Sequence, residues 1–160
     1  MTRIIATALA AALSLALPAF DANAAEDPDE MPVFGSVIAA EDHELDEFLW
    51  LARPILVFAD TPADPRFQQQ LAMIEAELGP LIDRDVIVLT DADPSAANPI
   101  RSKLHPRGFQ MVLIGKDGAV KLRKPLPYSV REITRTIDKT PLRQQEVRDR
   151  RLQRQDEITQ

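Results

Sequence analysis

No cysteine occurs anywhere in the 160 residues, so disulfides, thiolate nucleophiles and thiolate metal ligands are all excluded. Stability must therefore come from an apolar core. The two histidines, His43 and His105, are far apart and have no partner at ligand spacing, so no metal site is expected. Glycine is scarce, with five in the chain and none in a phosphate-binding loop. There is one tryptophan and one tyrosine. No Ser-His-Asp order and no internal repeat is present, and no cofactor is expected. The longest apolar run, residues 4–17, has 14 residues, short of the roughly 20 that a membrane-spanning helix needs.

That run is informative in another way. Arg3 precedes it, Pro18 breaks it, and Ala22, Asn23 and Ala24 follow at the spacing of a signal-peptidase site. Residues 1–24 are thus expected to be a signal peptide, cleaved after Ala24 or Ala25, with the product periplasmic or secreted. The remainder has the length of one domain. It is expected to divide into a flexible or extended stretch 25–40, a folded domain 41–140 and a basic, partly helical tail 141–160.

Charge is distributed unevenly along the chain. Residues 25–50 carry nine acidic and no basic side chains, whereas residues 101–160 carry seven acidic and fifteen basic ones. The net charge of −6 argues against a general nucleic-acid binder. An acidic head and a basic tail suit mutual attraction or two different partners.

The pattern of elements follows from hydrophobic periodicity. Residues 33–39 suit a short strand or packed extension, and Asp42 is placed to cap a short helix carrying Leu45, Phe48 and Leu49 on one face. Trp50 suits a core or edge anchor. Residues 54–59 and 86–89 are continuous apolar runs, as strands buried on both faces require. Between them Phe67, Leu71, Ile74 and Leu78 mark one face of a helix over 66–78, which Gly79 and Pro80 end or kink. Residues 91–99 are predicted to be loop and 100–104 a weak helix. Strands at 109–114 and 119–124 flank a tight turn at Lys116, Asp117 and Gly118, with Val120 and Leu122 on one face and Lys121 and Arg123 on the other. Ser129 and Glu132 form a capping box for a helix ending near Lys139, with Val130, Ile133 and Ile137 inward. The order β-α-β-α-β-β-α predicts an α/β, thioredoxin-like fold, a mixed central sheet with helices on both faces.

The segments GFQMVLIGKDGAVKLR, PILVFADTPADPRFQQQLA and SVREITRTIDKTPLRQQE resemble the bacterial family known as domain of unknown function 4174. That family is in turn similar to the peroxiredoxin-like domain of animal sushi-repeat and extracellular matrix proteins. The resemblance implies export and a thioredoxin-like scaffold. In redox-active relatives a nucleophilic cysteine follows the first central strand. Here that place holds Asp60, Thr61, Pro62, Ala63, Asp64, Pro65 and Arg66, and a threonine hydroxyl cannot replace a thiolate in peroxide reduction. Thiol peroxidase and disulfide exchange are chemically excluded.

Two groups of residues remain as candidate sites. Asp60, Thr61, Asp64 and Arg66 form a candidate ligand-binding loop at the carboxyl end of a central strand, where open α/β sheets bind ligands. The plainer use of Asp64 and Arg66 is a helix cap and its ion pair. Lys116, Lys121, Arg123 and Arg143, with Lys124, Arg131, Arg148, Arg150 and Arg151, form a candidate basic patch for an envelope protein or acidic polymer, or else a solvated face. The leading expectation is a non-catalytic binding or structural module. The alternative is a hydrolase or transferase using the carboxylates of loop 60–66. A third possibility is assembly through the exposed hairpin edge or the tail.

Overall fold

The computed structural model describes residues 33–96 and 98–159. The expected signal peptide lies outside them. Strands β1 (Val37–Ala39), β2 (Arg53–Phe58), β3 (Val86–Asp91), β4 (Gln110–Ile114) and β5 (Val120–Lys124) form one sheet in the order β1-β3-β2-β4-β5. The pairs β1–β3 and β2–β3 are parallel, while β2–β4 and β4–β5 are antiparallel. This order and these directions are those of a thioredoxin-like fold.

Every residue of β2 is buried, which explains its unbroken apolar run. Ile55 and Val57 face a layer completed by Phe67 and Ile74 of α1 (Pro65–Ala76), Leu81 of α2 (Leu78–Ile82) and Val130, Ile133 and Ile137 of α4 (Val130–Asp138). Leu56 and Phe58 face the other layer, with Leu45 and Phe48 of a 3₁₀ turn (Leu45–Phe48) and Ile100 and Leu104 of α3 (Pro99–Leu104). A strand covered on both sides has no polar face to show.

Several local expectations are corrected. Glu44, not Asp42, caps the short helix: its carboxylate and that of Glu47 satisfy each other's backbone, and the segment tightens to one 3₁₀ turn. Leu49 is only half-buried. Trp50 anchors no core: it is 67% exposed, at φ 64°. The helix at 66–78 breaks at Glu77 (φ −136°, ψ 51°) and resumes as α2, which contains Gly79 and Pro80 in its first turn. Ser129 caps α4 through the Glu132 backbone N–H (3.3 Å), but Glu132 accepts from the Ser129 hydroxyl (2.9 Å) rather than closing the second half of the box. Strand β5 carries one extra residue, because Leu113 pairs with Leu122 and Ile114 with Val120. Lys121 falls between, the alternation is lost there, and Val120 ends 46% exposed.

The last helix, α5 (Pro141–Thr159), is continuous and belongs to the same compact unit as the sheet. Arg143 is buried in its first turns and Glu146 and Val147 half-buried, whereas residues 148–158 are exposed.

Candidate functional site

The carboxyl ends of β1, β2 and β3 open into a crevice of about 550 Å³ that includes Asp60, Thr61, Asp91, Asp93 and Asn98. It is built from helix caps. Asn98 starts α3, accepting the Arg101 backbone N–H at 2.6 Å, with Pro99 in the first helical position. The same Asn98 donates its side-chain N–H to Asp91 at 2.7 Å. Arg101 grips Asp91 with two bonds, Nε to Oδ2 at 2.7 Å and Nη2 to Oδ1 at 2.9 Å, and donates to the Ala59 carbonyl at 2.9 Å. Its guanidinium also lies 5.5 Å from the centre of the Phe58 ring. Asp91 is buried, and Asn98, Arg101 and the Asp93 backbone N–H together satisfy both of its carboxylate oxygens.

Asp64 caps α1, accepting the Arg66 backbone N–H at 2.8 Å, and the Arg66 guanidinium closes on it at 3.1 and 2.8 Å. The hydrogen bond from Arg66 holds the Asp64 carboxyl below its ordinary range despite opposition from burial, with help from the backbone donor and the Arg66 charge. Arg66 in turn holds its proton more tightly, chiefly through the bond to Asp64, and the charges of Asp64 and Asp60 add to this. Arg66 also lies 5.5 Å from the centre of the Phe109 ring. Thr61 accepts the Ala63 N–H at 3.3 Å and so shapes the loop. At the far lip Asp93 accepts both the hydroxyl (2.6 Å) and the backbone N–H (2.8 Å) of Ser95, and these hold its carboxyl below its ordinary range. Asp60 differs from all of these. It is exposed, and its carboxylate makes no hydrogen bond or ion pair with any described residue.

The four basic candidates are dispersed, and Lys116, Lys121 and Arg143 are each paired with a carboxylate. Lys116 bonds Asp85 at 2.8 Å and lies 3.3 Å from Glu146. Arg143 is buried, 3.3 Å from Glu146 and 3.7 Å from Asp138, and its Nε has no hydrogen-bond partner. Lys121 bonds Asp117 at 2.6 Å. Arg123 donates to the Leu104 carbonyl (2.9 Å) and to Gln110 (2.6 Å), at the start of β4 rather than its end. These residues therefore do not present one basic face. What gathers Lys116 and Arg143 is Glu146, which also accepts from Arg53 at 2.9 Å.

The family is settled by a sequence profile described as domain of unknown function (DUF4174), which matches residues 44–146. The chain belongs to the DUF4174 family. Among solved structures the DUF4174 chain is similar to the reduced 2-Cys peroxiredoxin of Plasmodium vivax, at 16% identity and a TM-score of 0.47, over 59% of this chain and 80% of that one. No curated protein matches. The family match ends at Glu146, the residue that ties α5 to the sheet.

Sequence reasoning overlooked the Asp91, Asn98 and Arg101 network of this DUF4174 chain, although Asn98 followed by Pro99 is a helix-start signature inside what was expected to be loop. It also missed Gln70, fully buried and bonded to Tyr128 through the backbone N–H (2.7 Å) and carbonyl (3.1 Å). No metal-ligating cluster of three or more His, Asp or Glu side chains exists among the described residues.

Proposed function

We propose that this DUF4174 chain is an exported, non-catalytic binding module of the cell envelope. One observation carries the reading: around the crevice Asp64, Asp91, Asp93, Arg66 and Arg101 are all committed to caps and ion pairs within the protein. Groups held in that way are poor proton shuttles. The place of the redox thiol is a threonine-proline loop. The charge of the crevice favours an envelope protein presenting basic or donor groups over an acidic polymer, because the carboxylates of Asp60 and Glu41 on its lining make no hydrogen bond with any described residue. Export is supported by Arg3, the apolar run 4–17 and the small residues at 22–24.

Two measurements test this. The exported protein should begin at Ala25 or Glu26 by mass spectrometry, and a full-length secreted product would rule out cleavage. Partner capture from envelope extract should occur at low ionic strength and fade at high, and Asp60→Asn should weaken it. The unpartnered Asp60 also leaves room for a hydrolase. Ester or phosphoester turnover that vanishes in Asp60→Asn would replace the binding reading with that one.

A further inference from the structure

The opposite pole of the sheet holds a second cavity, of about 350 Å³, between the β4–β5 hairpin and the corner joining α4 to α5. We infer that it binds a small amphipathic carboxylate, an apolar ring or short chain bearing one anionic group. This site is independent of the crevice and of the function proposed for it.

The apolar half of the argument is the lining. Leu113 and Ile114 of β4, Ile137 of α4 and Leu142 of α5 surround a volume within the range of small-molecule sites. Trp50 lines the same cavity and is held there against two costs. Its backbone is left-handed, unusual for so bulky a residue, and its indole stays 67% exposed. The Trp50 N–H is pinned by a 2.8 Å bond to the Lys116 carbonyl, and the indole N–H has no partner among the described residues. Strain without burial is explained by a ligand that covers the ring. Asp85, a second left-handed residue, belongs to the ion-pair network at this same pole.

The anionic half is charge. Arg53, Lys116 and Lys121 line the cavity, against Asp117 alone. Behind them Arg53, Arg84, Lys116, Arg143 and Arg150 share three carboxylates, Asp85, Asp138 and Glu146. Cations are in surplus. Pro141 and Leu142 bring the first turn of α5 to the cavity, adding the positive end of a 19-residue helix. Lys121 is held only by a partly exposed pair with Asp117, which costs little to exchange.

Trp50 is the only tryptophan in the chain, so its emission reports this cavity directly. The full chain is titrated with 4-phenylbutyrate, and with 4-phenylbutylamine and 4-phenylbutanol as controls of the same body. A saturable emission change is expected with the carboxylate, at an affinity about tenfold above that of either control. Lys121→Glu should weaken carboxylate binding by about tenfold without changing the melting temperature. Leu142→Glu should abolish it by placing a negative charge on the apolar wall, and calorimetric titration repeats the measurement without the fluorophore. No saturable signal, equal binding of the three probes, or unchanged affinity in Lys121→Glu would each overturn the inference.

Discussion

At Asp91 the donors of two side chains converge on one buried carboxylate, and this residue shows how the crevice is kept rigid. Removing Arg101 would leave that charge uncompensated. Arg101→Ala is therefore expected to lower the unfolding free energy by about 3–5 kcal/mol in denaturant titration, although Arg101 touches no expected ligand. Gln70→Ala is expected to cost about 1–3 kcal/mol, because Tyr128 loses a donor and an acceptor together. Trp50 points the other way. Glycine adopts a φ of 64° without strain, so Trp50→Gly should leave stability unchanged or raise it by about 1 kcal/mol. A marked loss of stability in that variant would mean that the indole is structural.

The hairpin and α5 make predictions at the scale of elements. Gly118 turns at φ 73°, and a Cβ there would lie 2.8 Å from Leu49 Cδ2. Gly118→Ala should cost at least about 1–2 kcal/mol. Helix α5 is fastened through Glu146, and this makes its docking acid-sensitive. Burial alone would push the Glu146 carboxyl up. The hydrogen bond and charge of Arg53, with those of Lys116, outweigh burial and hold it below its ordinary range. Folded Glu146 therefore gives up its proton more readily than the unfolded chain does. Its contribution is fully present above the ordinary glutamate value of about 4.3 and is lost as pH falls through the lower folded value. The protection of α5 amides relative to their intrinsic exchange rate should fall on that acid limb, and Glu146→Gln should remove the dependence.

These elements differ in how far they could be read beforehand. The strands at 54–59, 86–89 and 109–114 are self-evident because burial on both faces leaves continuous apolar runs, and the cap of α1 is local to Asp64, Pro65 and Arg66. The Arg53 to Glu146 clamp joins residues 93 positions apart, and no periodicity encodes such a pairing. Trp50 was misplaced because a lone tryptophan carries a strong prior for burial, while nothing local marks its left-handed backbone, whose N–H bonds the Lys116 carbonyl far along the chain. Lys116 and Arg143 looked like a surface patch because charge along a sequence does not reveal which carboxylates fold onto it.

For the whole molecule, the two poles should act separately. They lie at opposite ends of the sheet, so Asp60→Asn should leave any response of Trp50 emission to 4-phenylbutyrate unaltered. A shift in that response would indicate coupling across the fold. The strand order has a further consequence, for how the chain is made. β2 pairs only with β3 and β4, both later in the sequence. During synthesis its apolar residues 55–58 wait incompletely covered until residue 114 has been delivered, flanked by Arg53, Pro54 and Asp60 as the local brakes on aggregation. Loss of refolding yield at high chain concentration would trace to this delay.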